Sequence, residues 1–319
     1  MKYAKIVATG SYLPSKILTN KDLEAMVDTA DEWIVDRTGI KERHIVAENE
    51  TTSDMAYQAT LRALENANMS ASEIDMIIVA TSTPDSIFPS TACILQNKLG
   101  IKTNGSFDLQ AACTGFIYAI TTADCFIKSG MAKNILVVGS DSMSRIVDYA
   151  DRSTCILFGD GAGAVILQAS DESGILGNEI HADGSYNSIL TCDGHLYNGA
   201  IKGNPYVYMD GQAVFKFAVR SLTAVSKNVA DKVGVDLSQI DWIVPHQANI
   251  RILESTAKML GCSMDKVITT VDRHGNTSAA SVPLALDTAV RDGRIKAGDL
   301  VLLQGVGAGF SWGASLIRF

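Results

Sequence analysis

The sequence predicts an α/β protein of two similar halves, and three observations carry that expectation. Ser72-Glu-Ile-Asp-Met-Ile-Ile-Val79 resembles Ser238-Gln-Ile-Asp-Trp-Ile-Val244, which sets Asp75 opposite Asp241 at an offset of 166. Further along, Ala132-Lys-Asn-Ile-Leu-Val-Val138 matches Ala297-Gly-Asp-Leu-Val-Leu-Leu303 at an offset of 165. Cys113 stands 17 residues before Gly130 and Asn276 stands 17 before Gly293, each across a helix-like stretch. A period this long marks a duplicated unit and not a solenoid. The expected halves are residues 1–170 and 171–319, with Asn276 taking in the second the place that Cys113 has in the first.

Taken in chain order, residues 53–67 carry apolar side chains at helical spacing. The runs Ile77-Ile-Val-Ala80 and Ile135-Leu-Val-Val138 are apolar without alternation, as strands covered on both faces require. An apolar run ending near Ala112 gives way through Gly115 to a helix expected over 116–128. Residues 212–233 and 250–260 read as two more helices, with the strand Trp242-Ile-Val244 between them. Small residues from Thr277 to Ser281 open a last helix, and Pro283 sits near its first turn, where proline is tolerated. Each half repeats strand, active segment, helix, strand, and no Pro/Ser-rich linker divides them, so one body with the site between the halves is expected.

Bulk composition narrows the class. The 319 residues are 47% hydrophobic with 26 Gly and 6 Pro, which allows a large core and argues against a disordered or repeat protein. No apolar run approaches the roughly 18 residues of a membrane span, and the N-terminus lacks a signal-like apolar core, so a cytoplasmic protein without membrane contact is expected. A net charge of −8 disfavours nucleic acid as a partner, while leaving room for a local basic patch that meets an acidic protein. The six cysteines show no Cys-x-x-Cys spacing, which speaks against a zinc site or a disulfide framework; most are expected to be small buried thiols.

Cys113 is the exception. It sits at a strand-to-helix turn between small residues, where unpaired backbone N–H groups and the helix dipole favour thiolate and can hold an oxyanion. His246 follows Pro245 at a strand end, where α/β folds collect functional groups. His274, two residues from Asn276, is the rival imidazole and is expected to support its loop; His44, His181 and His195 have no comparable setting. A Cys, a His and an Asn so placed point to acyl transfer. The glycine strings Gly159-Asp-Gly-Ala-Gly163 and Gly305-Val-Gly-Ala-Gly309 run into strand-like residues without opening a helix, so they read as tight backbone crossings and not as nucleotide loops.

Ala-Ala-Cys113-Thr-Gly-Phe, His246-Gln-Ala-Asn249, His274-Gly-Asn-Thr-Ser-Ala-Ala-Ser281 and Gly309-Phe-Ser-Trp-Gly313 together closely resemble the β-ketoacyl-acyl carrier protein synthase III family. The resemblance runs over essentially the whole chain, including Phe158 to Ala164 and His181-Ala-Asp-Gly184. It implies a thiolase-like fold in layered α-β-α-β-α order, a homodimer, and the step that initiates type II fatty-acid synthesis from acetyl-CoA, or another short acyl-CoA, and malonyl-acyl carrier protein. Implied roles are nucleophile for Cys113, thioester-oxygen donors for His246 and Asn276, and oxyanion N–H groups from Cys113 and Ala308. For CoA the resemblance implies Trp33 and Arg152 at the adenine, Arg37 near phosphate, and Gly211 and Asn249 along the pantetheine arm. Phe88 and Met143 would bound the acyl pocket, Phe88 across the dimer interface, and Lys216, Arg251 and Lys258 would receive the carrier protein. No cofactor or metal is implied, CoA thioesters being substrates.

Asn276 in place of a second histidine separates the chain from elongating synthases, and the lack of a second cysteine motif separates it from thiolases. Two departures stand out: Val306 where the family often has Phe, and Met259 where a second Lys is common. Other readings remain open at this stage. A same-fold acyltransferase or quinolone-type condensing enzyme would use the same triad with another acceptor, and a non-catalytic acyl- or CoA-binding protein would leave Cys113 an inert thiol.

Overall fold

The structure, a computed structural model, describes residues 2–319. Two sheets carry the chain. The first has the order Tyr3–Tyr12, Asp160–Ser170, Asn134–Ser142, Met76–Ala80, Gly105–Leu109; the second has Ile175–Ala182, Ser311–Arg318, Leu300–Gly307, Trp242–Pro245. Directions agree strand for strand: two antiparallel pairings, then a parallel one, in each sheet. The second sheet's fifth member is reduced to one parallel bridge between Ile243 and Val267.

The duplication is visible in single hydrogen bonds. The Asp75 carboxylate accepts from the N–H groups of Lys133 and Asn134 at 2.8 and 2.9 Å, and the Asp241 carboxylate accepts from that of Leu300 at 2.8 Å. Each aspartate thereby pins the start of the strand beside its own. The two N–H groups of Asp75 and Asp241 donate in turn to Asn134 and Leu300, both at 2.9 Å.

Five layers follow from where the apolar side chains point. Ile77 and Val79 face the outer helices Thr52–Ala67 and Thr91–Leu99, whereas Met76, Ile78 and Ala80 face the middle layer. This two-sided burial is the reason the strand lacks alternation. The middle layer is the helix pair Gly115–Lys128 and Ser281–Arg291, which share one core with both sheets. Helices Gly211–Val233 and Ile250–Leu260 cover the far face of the second sheet through Val225, Val229, Leu253 and Ala257. Local chemistry sets their ends. Asp210 caps the first of these two helices and the Asn249 side chain the second, while Gly234 and Gly261 end them in the left-handed conformation.

Two expectations about the fold need correction. Asn276 is not the counterpart of Cys113. One-turn 3₁₀ helices, Ala112–Thr114 and Ser278–Ala280, open the two middle helices at an offset of 166, which pairs Cys113 with Ala279. The helix after the first turn has 14 residues and the one after the second has 11, so counting back from Gly130 and Gly293 slips the register by three. Second, only Cys113 and Cys155 are buried; Cys93 and Cys262 are half-buried, and Cys125 and Cys192 are exposed. Cys192 and Cys262 lie outside helices and strands, and Cys125 sits in the last turn of helix Gly115–Lys128, where the chain reaches solvent.

One further part of the fold was not indicated by the sequence. The strand pair Lys16–Thr19 and Glu42–Ile45 and the helix Asp31–Thr38 form a cap that packs on Met143, Leu157 and Phe158. Among the described residues no helix is long and apolar enough to cross a membrane.

Candidate active site

The sheet architecture brings the two halves' functional turns together beneath this cap. Cys113 lies in the turn after strand Gly105–Leu109, His246 directly after strand Trp242–Pro245, and Asn276 after the short helix Val271–His274. All three line one cavity of about 710 Å³. They are almost closed from solvent, with exposures of 7%, 2% and 7%. A second cavity of about 710 Å³ reaches Cys113 from the other side, and the two share Cys113, Phe158 and Leu190. The sulfur therefore stands at a junction. The first cavity is edged by Trp33, Arg37, Lys216 and Arg251; the second is walled by apolar groups such as Ile87, Met143, Ile146 and Val207.

Glycines allow this convergence. A Cβ on Gly307 would lie 2.7 Å from the Cys113 amide nitrogen, and one on Gly305 would lie 3.2 Å from the Thr114 Cα. Gly139 meets the carbonyl of Ala279 in the matching place of the other half. Each sheet thus presses a side-chain-free strand against the other half's turn. The string at Gly159 behaves likewise: a Cβ there would lie 2.6 Å from the His274 carbonyl, and its N–H donates to Asn276 at 3.0 Å.

Orientation of the two polar donors comes from their neighbours. Asn276 Oδ1 accepts from the Ser278 N–H at 3.0 Å, which leaves the amide N–H₂ as its free end. Asn276's own backbone is held on both sides, donating to Leu157 at 2.8 Å and accepting from Gly159. His246 Nδ1 lies 2.8 Å from Ser281 Oγ. Beside it, the buried Gln247 side chain donates to the carbonyls of Pro245 and Ile268 and accepts from the N–H groups of Thr270 and Val271. That one amide ties the His246 turn to the segment leading into Asn276.

Burial decides the protonation states. It pushes the Cys113 thiol up to about 12, against the pull of the Ser278 hydroxyl and with a smaller push from Asp141. The expected thiolate at the helix start is therefore corrected: desolvation outweighs the helix terminus. Burial also lowers His246 to about 4, so the ring is neutral at pH 7. His274 is brought down to about 3 by burial, with Arg273 adding to the effect.

Sequence reading missed Asp141, Gln247, Ser278 and Ser281. The Asp141 carboxylate accepts from Ser82 N–H at 2.7 Å and, across the halves, from Ala279 N–H at 3.0 Å. Its signal was the polar run Ser140-Asp-Ser142 at the end of an otherwise apolar strand.

The remaining expected residues divide by position. Gly211, Lys216, Asn249 and Arg251 line the first cavity together with Trp33 and Arg37. Arg37 and Arg152 stack on Trp33, at 5.1 and 4.9 Å from the ring centroid. Arg251 bonds to Asp36 at 3.1 Å. Lys258 is exposed further along the same helix, and Phe88 is 82% exposed and lines neither cavity of this single chain. Met143 and Ala308 line the second cavity. Val306 is buried against Phe217 and Phe310 and lines the first. Among the described residues no three His, Cys, Asp or Glu side chains are grouped as a metal site.

Residues 107–184 match the family model 3-Oxoacyl-[acyl-carrier-protein (ACP)] synthase III, and residues 230–319 match the model of its C-terminal part. The beta-ketoacyl-[acyl-carrier-protein] synthase III of Neisseria meningitidis serogroup A is 60% identical over 321 residues, covering the whole of both chains. The protein of the same name from Laribacter hongkongensis is 56% identical over 319 residues, again at full coverage of both. The crystal structure of 3-oxoacyl-[acyl-carrier-protein] synthase III from Aquifex aeolicus VF5 matches with a TM-score of 0.94 at 49% identity, over 99% of this chain and 100% of that one. With its thiolase-type duplicated fold, the chain belongs to the 3-oxoacyl-[acyl-carrier-protein] synthase III family of condensing acyltransferases.

Proposed function

We propose that this protein makes the first carbon–carbon bond of type II fatty-acid synthesis, using a short acyl-CoA as primer and malonyl-acyl carrier protein as extender. The observation that carries this reading is the one cavity on which the buried Cys113, His246 and Asn276 converge, joined at the sulfur to an apolar chamber.

The acyl-CoA enters through the first cavity with its adenine near Trp33 and Arg152, phosphate near Arg37, and pantetheine along Gly211 and Asn249. The Cys113 sulfur loses its proton as it attacks the acyl carbonyl; the CoA sulfur departs and takes up a proton. The N–H groups of Cys113 and Ala308 hold the oxyanion, and the acyl chain lies toward Met143 and toward Phe88 of a second copy in a homodimer.

Malonyl-acyl carrier protein then docks by Lys216, Arg251 and Lys258. Its terminal carboxylate leaves as CO₂, and the electrons of that bond pass into a thioester enolate. Neutral His246 and the Asn276 amide donate to the enolate oxygen as charge builds; such a donor lowers a barrier by about 2.7–4 kcal/mol when aimed at the developing charge. The enolate carbon attacks the acyl-cysteine, the Cys113 sulfur leaves, and 3-oxoacyl-acyl carrier protein is released. The reading takes CoA thioesters as substrates with no cofactor, sets the enzyme in the cytoplasm, and divides the chain near residue 170.

Intact-mass measurement after incubation with acetyl-CoA, followed by a product assay with malonyl-acyl carrier protein over primers of increasing length, tests it. One acetyl adduct on Cys113 and a 3-oxoacyl product are expected. An adduct without condensation would replace this reading with an acyltransferase using another acceptor, and no adduct would leave only a binding protein.

A further inference from the structure

Ser281 has no part in the steps above, yet among the described residues it is the one side chain hydrogen-bonded to His246. It is the first residue of helix Ser281–Arg291, is 1% exposed, and its Oγ lies 2.8 Å from His246 Nδ1 and 2.8 Å from the Gln247 backbone nitrogen. The two contacts have different characters. The Gln247 nitrogen can only donate, so the Ser281 oxygen accepts there. The hydroxyl hydrogen then needs an acceptor, and among the described residues His246 Nδ1 is the one within hydrogen-bond distance of Ser281 Oγ.

The opposite arrangement fails a count of donors. Were Nδ1 protonated, both it and Gln247 would donate to the same oxygen, and the Ser281 hydroxyl proton would be left buried without a partner, which is costly. We propose that Ser281 is a positioning residue that locks His246 as the Nε2–H tautomer, aiming a proton at the thioester oxygen in the shared cavity.

This rests on the proposed condensing reaction for its functional consequence, but the tautomer itself does not. The sequence separation, 35 residues, and the shared origin of Ser281 and Asn276 in one segment give the lock a further use. The turn Ser278–Ala280 lies between Asn276 and Ser281, so the chain that orients the amide donor also orients the imidazole. Both donors are set by one rigid stretch, and a shift of that stretch moves them together.

The direct test is nitrogen NMR of the protein with isotopically labelled histidine, His246 being assigned by its loss in His246→Gln. The expected wild-type spectrum shows a neutral ring protonated at Nε2 across pH 6–8. In Ser281→Ala the single-tautomer signature is lost, and decarboxylation of malonyl-acyl carrier protein falls about ten- to a hundredfold. Acylation of Cys113 by acetyl-CoA changes less than about twofold, since that step does not use the lock. Ser281→Thr keeps the hydroxyl and recovers both signature and rate.

A wild-type ring protonated at Nδ1 overturns the proposal, and so does Ser281→Ala that decarboxylates at the wild-type rate. It is equally overturned if Ser281→Ala slows the reaction while the tautomer stays unchanged. Should Ser281→Ala not fold, the wild-type spectrum decides the matter. If the wild-type protein does not decarboxylate malonyl thioesters at all, the proposed reaction falls and the tautomer assignment is still measured.

Discussion

Ala112 and Ser278 share the same left-handed backbone, at φ 45° and 51°, each opening the one-turn helix that carries its half's contribution to the centre. Non-glycine residues take this conformation at a cost, and the duplicated surroundings hold both. Around each turn, a glycine strand of the opposite sheet closes the space, Gly307 against Cys113 and Gly139 against Ala279. The halves are therefore interlocked through the site.

That interlock predicts unequal effects of adding one methyl group. In Gly307→Ala the new atom meets the Cys113 amide, so overpacking costs about 1–3 kcal/mol and shifts the amide proposed to hold the oxyanion. Urea unfolding is expected to show that loss, and acylation by acetyl-CoA is expected to slow at least tenfold. Gly130→Ala meets nothing in space but stands at φ 78°, so it is expected to lose stability without a specific acylation defect.

Division of labour between the two steps is the second prediction. Cys113→Ala forms no acetyl adduct by intact-mass analysis. Asn276→Ala still acylates and condenses about 10²–10³-fold more slowly, the usual loss for one donor to developing charge. If natively stable Asn276→Ala failed to acylate, the separation of roles would be wrong.

The raised thiol predicts a pH profile for Cys113 in the free enzyme. With its pKa pushed up to about 12, the thiolate fraction climbs about tenfold per pH unit through the neutral range. Iodoacetamide modification of Cys113, followed by peptide mass mapping, is expected to rise from pH 7 to 10 without a plateau. Exposed Cys125 and Cys192 give peptides that are counted separately. Saturation of the Cys113 rate below pH 8 contradicts the desolvated thiol.

His274 predicts acid sensitivity. Its folded value of about 3 lies below the ordinary 6.5, so above pH 6.5 neither state binds the proton and the group is neutral in its effect. As pH falls from 6.5 toward 3 the unfolded chain takes up the proton first and stability is lost. Between pH 7.5 and 5 this amounts to about 2 kcal/mol. A His274→Gln variant is expected to lose correspondingly less over that interval, measured by urea midpoints at both pH values; equal losses in the two proteins would contradict it.

What the sequence determined by itself is local or repeated. The strand-to-helix turn marked Cys113, the strand end marked His246, and unalternated apolar runs marked strands covered on both faces, because these depend on neighbours in the chain. The motifs also carried the family. Tertiary structure alone decided what depends on distant groups. The Ser281 hydroxyl meets His246 from 35 residues away, Asp141 reaches Ala279 across 138, and the three-residue shortening of the second middle helix moved Asn276 out of the Cys113 register. The protonation of Cys113 followed the same division: the helix start that favours a thiolate is written in the sequence, but the loss of water around the sulfur is made by both halves closing on it, and that desolvation is the larger effect.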